Sequence, residues 1–177
     1  VGSGSTPAFL KADSWNETWP LAFRTLAMSV LGTGIAGFVV LGTFIFGARN
    51  IMVGELAGNR NPVWFITYMF VRGIFIITRG VPELIWAMLI VFAFSPGILP
   101  GAIALAIHNS GILGKLAAEV VEDMDVHPVQ ALRTSGAGRI QVLFYGVLPE
   151  VVPRFLTLLM YRWEVIIRAT IVVGFVA

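Results

Sequence analysis

Charged residues interrupt the long apolar runs of this 177-residue chain, and six of them are candidates for chemistry. They are Arg72, Arg79, Glu83, Arg162, Glu164 and Arg168. A charged side chain within an apolar helix is unfavourable unless it faces a partner or water. A guanidinium also presents a planar fork of donors that matches the oxygens of a phosphate or phosphonate. Arg72, Arg162 and Arg168 are therefore candidates to line a path for an oxyanion. The alternative is ion pairing that fixes helix packing, or side chains that extend to the membrane surface.

Two pairs among these residues have the spacing of neighbours on one helix face. Arg79 and Glu83 are four residues apart, and so are Glu164 and Arg168. Opposite charges at that spacing can pair along a helix. Pro82 lies inside the first pair and disturbs the helix there. We expect the four charged residues to form one network at this helix break.

The chain lacks the residues that several other kinds of chemistry require. The chain has no cysteine, no H-E-x-x-H zinc motif and no G-x-x-x-x-G-K-[ST] phosphate loop. His108 and His127 have no second ligand at a suitable spacing, so no metal site is predicted. The net charge of +2 is too small to indicate nucleic acid. We therefore expect neither an intramembrane enzyme nor ATP bound by this chain through such a loop.

The apolar runs predict a membrane protein. Hydrophobic residues make up 57% of the chain and charged residues 12%, and about 20 apolar residues cross the hydrocarbon core as a helix. The candidate spans are 25–48, 62–94, 98–118 and 150–177. Segment 62–94 is too long for one straight span, so we expect a break near Gly80-Val81-Pro82. The predicted fold is an all-α polytopic bundle with at least four spans, preceded by an extracytoplasmic or interfacial segment at 1–22.

A polar insert at 119–149 separates the last two predicted spans. If the spans cross in turn, this insert and the loop at 49–61 lie on the same side of the membrane. That side carries five basic residues, and the other side carries two. The five are Arg49, Arg60, Lys115, Arg133 and Arg139; the two are Lys11 and Arg24. The excess of basic residues predicts that the insert is cytoplasmic.

The insert has the signals of a short helix. Pro128 suits a first helical turn, because its missing N–H has no partner there in any helix. Gly136 and Gly138 can end the helix or allow another surface to approach. A second amphipathic run follows at Ile140, Leu143, Phe144 and Val147. We expect the next span to start at Leu148-Pro149.

The same residues carry a family resemblance. Gln130-Ala131-Leu132, Gly136 and Leu148-Pro149 resemble the cytoplasmic signature E-A-A-x3-G-x9-I-x-L-P of ABC importer permeases, with Gln130 for the acid, Leu132 for the second alanine and Gly146 for the isoleucine. The runs GVPELIWA, LPEVVP and YRWEVIIR look like the phosphonate ABC transporter permease family, although Ile166 stands where its members usually have asparagine. The resemblance covers roughly residues 22–177. The family pattern extends beyond both ends of the sequence, so the span count is a minimum.

The resemblance implies a membrane subunit of the type I ABC importer (MetI-like) kind, with a permease domain at 23–177 and a coupling loop at about 119–149. Its implied partners are two ATPase subunits that bind ATP and Mg, a second permease, and an extracytoplasmic protein that delivers phosphonate, phosphite or phosphate. The chain itself is then neither an enzyme nor a cofactor-binding subunit, and it resides in a bacterial inner membrane. Methionine or a betaine are alternative solutes, and a passive channel or an intramembrane enzyme is the less favoured class. The residues implied in coupling are Pro128, Gln130, Ala131, Leu132, Arg133, Gly136, Leu148 and Pro149.

Overall fold

The computed structural model describes residues 12–52 and 62–174. Within these ranges the chain forms eight α-helices and one π-helical turn, with no strand. The helices are α1 (Ala12–Gly47), α2 (Arg49–Met52), α3 (Pro62–Gly80), α4 (Glu83–Phe94), α5 (Ile98–Glu122), α6 (His127–Thr134), α7 (Arg139–Val142) and α8 (Leu148–Val173), and the π turn is Leu143–Val147. The predicted all-helical fold class is confirmed.

Helix α5 is the centre of the bundle and packs against α1, α3, α4 and α8. Its buried face consists largely of alanine and glycine, which allow helix backbones to approach closely. The approach is closest to α3. A Cβ atom added at Gly111 would lie 2.7 Å from the Arg79 nitrogen, and one at Gly114 would lie 2.5 Å from the Phe75 ring. These two glycines therefore determine how near α3 can lie to α5.

Three helical segments among the described residues are long and apolar enough to cross a membrane. They are Thr18–Gly47, Pro62–Gly80 and Ile140–Val173. The predicted span at 98–118 lies within α5, which has 25 residues but carries His108, Asn109 and Lys115. Because α5 is enclosed by other helices, it can hold these polar groups away from lipid. The count of at least four spans stays a prediction.

The predicted helix break lies where the sequence indicated. Helix α3 ends at Gly80 and α4 begins at Glu83, with Pro82 at its N-terminal boundary. The chain turns again after α4, where Ser95 has a φ of 69°. Residues 62–94 are thus two helices rather than one straight span.

The predicted insert at 119–149 includes the end of one long helical run and the start of the next. Helix α5 continues to Glu122, and α7, the π turn and α8 follow one another without a gap. Only residues 123–138 lie between the two long helical runs. The predicted amphipathic stripe is wrong in part, because Ile140 and Phe144 are exposed while Val142 and Gly146 are buried. The π turn closes i→i+5 hydrogen bonds, so it rotates the buried face away from the expected i, i+3, i+4, i+7 positions.

Candidate functional site

Helix α6 is fixed at its start by an aspartate. One oxygen of Asp125 accepts a hydrogen bond from the His127 backbone N–H at 3.0 Å and lies 2.6 Å from Nδ1 of the His127 ring. The backbone hydrogen bond, followed by the one to the ring, holds the pKa of Asp125 below its ordinary value. The carboxylate therefore supports the start of α6 at neutral pH, and this support is lost as the pH falls through that lowered pKa. Pro128 occupies the first turn, as predicted.

The other end of α6 is a C-terminal motif that requires a glycine. The Gly136 N–H donates to the Arg133 carbonyl at 2.9 Å, and the Ala137 N–H donates to the Leu132 carbonyl at 3.0 Å. These two bonds form the Schellman motif, whose C′ residue adopts a left-handed conformation. Gly136 has a φ of +85°, which glycine adopts without steric cost. A Cβ added there would meet nothing within 4 Å, so the site is open to a partner.

One face of α6 packs on the protein and the opposite face is free of it. Val129 is buried, and Val129 and Leu132 approach the position of a Cβ on Gly146 to 3.3 and 3.1 Å. Leu132 and Arg133 are half-buried. The exposed residues implied in coupling are Pro128, Gln130, Ala131, Gly136 and Pro149, while Leu148 is half-buried at the start of α8. The sequence did not identify Val129 and Gly146 as the contact that holds α6 in place.

Arg72 links three helices near the same end of the bundle. Its Nε donates to the Gly47 carbonyl at 3.2 Å, and its Nη2 donates to the Glu122 carboxylate at 2.5 Å. The guanidinium carbon also lies 5.5 Å from the centre of the Tyr68 ring. Glu122 accepts a further hydrogen bond from the Arg49 backbone N–H at 2.8 Å. Arg72 thus joins the ends of α1 and α5 to α3.

The helix break is supported by two side chains that the sequence did not single out. Pro82 has no N–H, so the Thr78 carbonyl lacks its helical donor. The indole N–H of Trp86 donates to that carbonyl at 3.1 Å. The Val81 carbonyl lies 2.9 Å from Nδ1 of His108, which must carry its proton there because a carbonyl only accepts. Both carbonyls freed by the break are therefore satisfied inside the membrane domain.

Replacing Trp86 by phenylalanine is expected to weaken the break. The aromatic ring is retained, but the Thr78 carbonyl loses its donor, at about 1–3 kcal/mol for a buried acceptor. We expect a lower thermal transition in nanodiscs, measured by intrinsic fluorescence. Trp64→Phe is the control, because the Trp64 indole makes no hydrogen bond to the described part of the chain. Equal destabilisation by both substitutions would contradict the proposed role of the indole N–H.

The first predicted i, i+4 pair does not form. Arg79 and Glu83 make no ion pair in the structure, because the break between them removes the helical register. Glu83 begins α4, which packs against α8, the helix that carries Arg162. The Nε of Arg162 donates to Oδ1 of Asn109 at 2.7 Å. Asn109 is fully buried, and its Nδ2 donates to the Leu105 carbonyl at 2.7 Å.

The second predicted pair does form, but apart from the first. Arg168 and Glu164 are ion-paired, and both side chains are well exposed on α8. No ion pair joins Arg79 or Glu83 to either of them in the described ranges, so the four-residue network is absent from this chain. The physical reason is that the break places Arg79 and Glu83 on two different helices. No group of three or more metal-ligating side chains occurs among residues 12–52 and 62–174.

Comparison with known proteins defines the class to which this arrangement belongs. The model of the family described as binding-protein-dependent transport system inner membrane component matches residues 50–177. The chain belongs to this family of ABC transporter permeases. A solved structure of an amino acid ABC transporter with histidines has the same fold, with a TM-score of 0.70 over 94% of this chain and 76% of the other, at 19% identity.

Two individual permeases are similar to most of this chain. The phosphite transport system permease protein PtxC of Stutzerimonas stutzeri is 39% identical over 176 residues, which are 99% of this chain and 59% of the relative. The phosphate-import permease protein PhnE of Mycolicibacterium smegmatis is 35% identical over 156 residues, which are 88% of this chain and 27% of the relative. The chain spans less than two thirds of either relative. The predicted family is confirmed by these similarities.

Proposed function

We propose that this chain is the membrane-spanning subunit of an ATP-driven importer for phosphite, phosphate or phosphonate. The observation that supports this most is the construction of α6. It is a short helix with a fixed start and a fixed end, and it presents an exposed face beside residues that resemble the importer signature. The relatives named for phosphite and phosphate support the class of solute.

The packing of α6 supports a role in transmitting force. Four residues, 123–126, join it to α5, and another four, 135–138, join it to the run that becomes α8. Val129 and Gly146 hold it against that run, so α6 cannot move far without moving α5 or α8. A partner that displaces α6 therefore displaces two helices of the bundle.

The partners and cofactors follow from this role. Two ATPase subunits bind ATP and Mg and contact the exposed face of α6, and this chain binds no cofactor and is not an enzyme. A second permease completes the pathway, and an extracytoplasmic binding protein delivers the solute. The chain crosses the bacterial inner membrane several times, with α6 on the cytoplasmic side. The basic residues near α6 support this orientation, since basic residues concentrate in cytoplasmic loops.

Reconstitution tests the proposal directly. The complete permease is assembled with its ATPase and binding protein in proteoliposomes, and uptake of labelled phosphite, phosphate and methylphosphonate is measured. We expect saturable uptake of at least one of these oxyanions, which requires hydrolysable ATP and the binding protein. Uptake that continues with a non-hydrolysable ATP analogue would indicate a channel. Uptake of methionine or betaine, with none of the three oxyanions, would overturn the proposed solute.

A further inference from the structure

We propose that Arg162, oriented by Asn109, is the contact that binds the oxyanion within the membrane domain. The inference rests on the proposed function and assigns the solute contact to one residue. Arg162 lies on α8, Asn109 on α5, and Glu83 at the start of α4 just after the break. The site thus lies where α4, α5 and α8 meet, next to the break between α3 and α4.

Four other arginines near the apolar helices are either paired with an acid or have no hydrogen bond that orients them. Arg72 is paired with Glu122 and also binds the Gly47 carbonyl. Two further arginines on α8 are paired with acids one turn away, Arg154 with Glu150 and Arg168 with Glu164. Arg79 is exposed at the last turn of α3 and has no hydrogen bond or ion pair of its side chain within the described ranges.

Arg162 differs because its only hydrogen-bond partner in the described part of the chain is neutral. The buried Asn109 amide cannot turn, since its Nδ2 is bonded to the Leu105 carbonyl and its Oδ1 therefore faces Arg162. The bond is made by Nε, which leaves the two terminal nitrogens of the cation without a hydrogen-bond partner in the described part of the chain. A guanidinium held in this way can bind two oxygens of a tetrahedral oxyanion side by side.

Glu83 gives the site its reversibility. Its carboxylate is half-buried in the first turn of α4, a helix that packs against α8, and it forms no ion pair with Arg162. A bound oxyanion would feel the repulsion of this carboxylate while it contacts the guanidinium. Transport requires binding that is weak enough for the solute to leave. Glu83 therefore weakens the binding of the anion and hastens its release.

The test measures binding without the delivery protein, whose own affinity would mask this site. Phosphite and methylphosphonate are titrated onto the permease–ATPase complex in nanodiscs, and the ³¹P line broadening gives the dissociation constant. Arg162→Gln and Asn109→Asp are expected to weaken binding at least roughly tenfold, because one removes the charge and the other neutralises it. Glu83→Gln is expected to strengthen binding severalfold. Arg154→Gln is the matched control, because Arg154 lies on the same helix and is paired with Glu150, and it should leave binding unchanged.

The opposite effects that are expected of Arg162→Gln and Glu83→Gln on binding distinguish a solute contact from a structural one. Every variant must first co-purify with the ATPase, and Glu83→Gln keeps the inference testable if Arg162→Gln does not assemble. If the wild-type complex imports an oxyanion but Arg162→Gln binds it equally well, the inference is wrong and the proposed function stands. The inference also fails if Glu83→Gln weakens binding. If the wild-type complex imports none of the oxyanions, the proposed function fails as well.

Discussion

Valine in place of Gly136 is expected to abolish solute-dependent ATP hydrolysis by the assembled importer. Gly136 ends α6 with a φ of +85°, which costs a residue with a side chain about 1–2 kcal/mol and a β-branched residue more. A change of that size shifts a conformational equilibrium by roughly 5–30-fold. The Schellman hydrogen bonds of Gly136 and Ala137 would then be lost. The valine would also project into the open space above α6, where the ATPase is proposed to bind.

Two variants separate the backbone effect from the added bulk. Gly136→Asn should retain much of the coupling, because asparagine tolerates the left-handed conformation. Gly138→Val should leave solute-dependent ATP hydrolysis nearly unchanged. The nearest atom to a Cβ at Gly138 is Oε1 of Gln141, at an ordinary contact distance of 3.7 Å. The assay is ATP hydrolysis with and without loaded binding protein, together with the amount of complex in the membrane. Normal stimulation in Gly136→Val would argue against α6 as the coupling element.

Alanine in place of Gly111 is expected to displace α3 from α5 and to destabilise the bundle. The new Cβ would lie 2.7 Å from the Arg79 nitrogen and 2.9 Å from the Phe75 carbonyl oxygen. Both are backbone atoms, so the strain cannot be relieved by a side-chain rotation. Overpacking of this kind costs about 1–3 kcal/mol and sometimes more. Because Arg79 precedes the break, the same displacement should disturb the contacts of Trp86 and His108 with the two carbonyls that precede Pro82.

A glycine elsewhere on α3 provides the control for helix propensity. A Cβ at Gly73 would meet nothing within 4 Å, so Gly73→Ala should be neutral or slightly stabilising, by up to about 1 kcal/mol. Thermal unfolding of both variants in nanodiscs measures the difference. Should Gly111→Ala unfold at the wild-type temperature, the close approach of α3 and α5 would not be required for stability.

Local signals in the sequence were sufficient to predict much of the fold. The missing N–H of Pro82 predicted the break, and Pro128 with Gly136 predicted both ends of α6. The apolar runs predicted the long helices, although the charge-free run beginning at residue 25 did not reveal that α1 starts at Ala12. These features depend on a few consecutive residues, which a sequence displays directly.

The contacts between distant residues could not be predicted in the same way. Asn109 and Arg162 are 53 positions apart, and Arg72 and Glu122 are 50 apart. Nothing in their local sequence indicates that they meet, because the packing of α5 at the centre of the bundle brings them together. The π turn at Leu143–Val147 was missed for a related reason, since a single widened turn leaves no distinct residue pattern.

The contact between Leu132 and Gly146 explains two departures from the family signature as one change. The resemblance expects a small residue where Leu132 stands and a large one where Gly146 stands. In this chain the large residue is on α6 and the small one is on the π turn, which is the reverse of the family pattern. The contact between the two elements therefore remains filled. A helix borrowed from a relative with the usual residues would leave a hollow beneath it. The face of α6 that is proposed to contact the ATPase is therefore transferable between such proteins only together with the turn on which α6 rests.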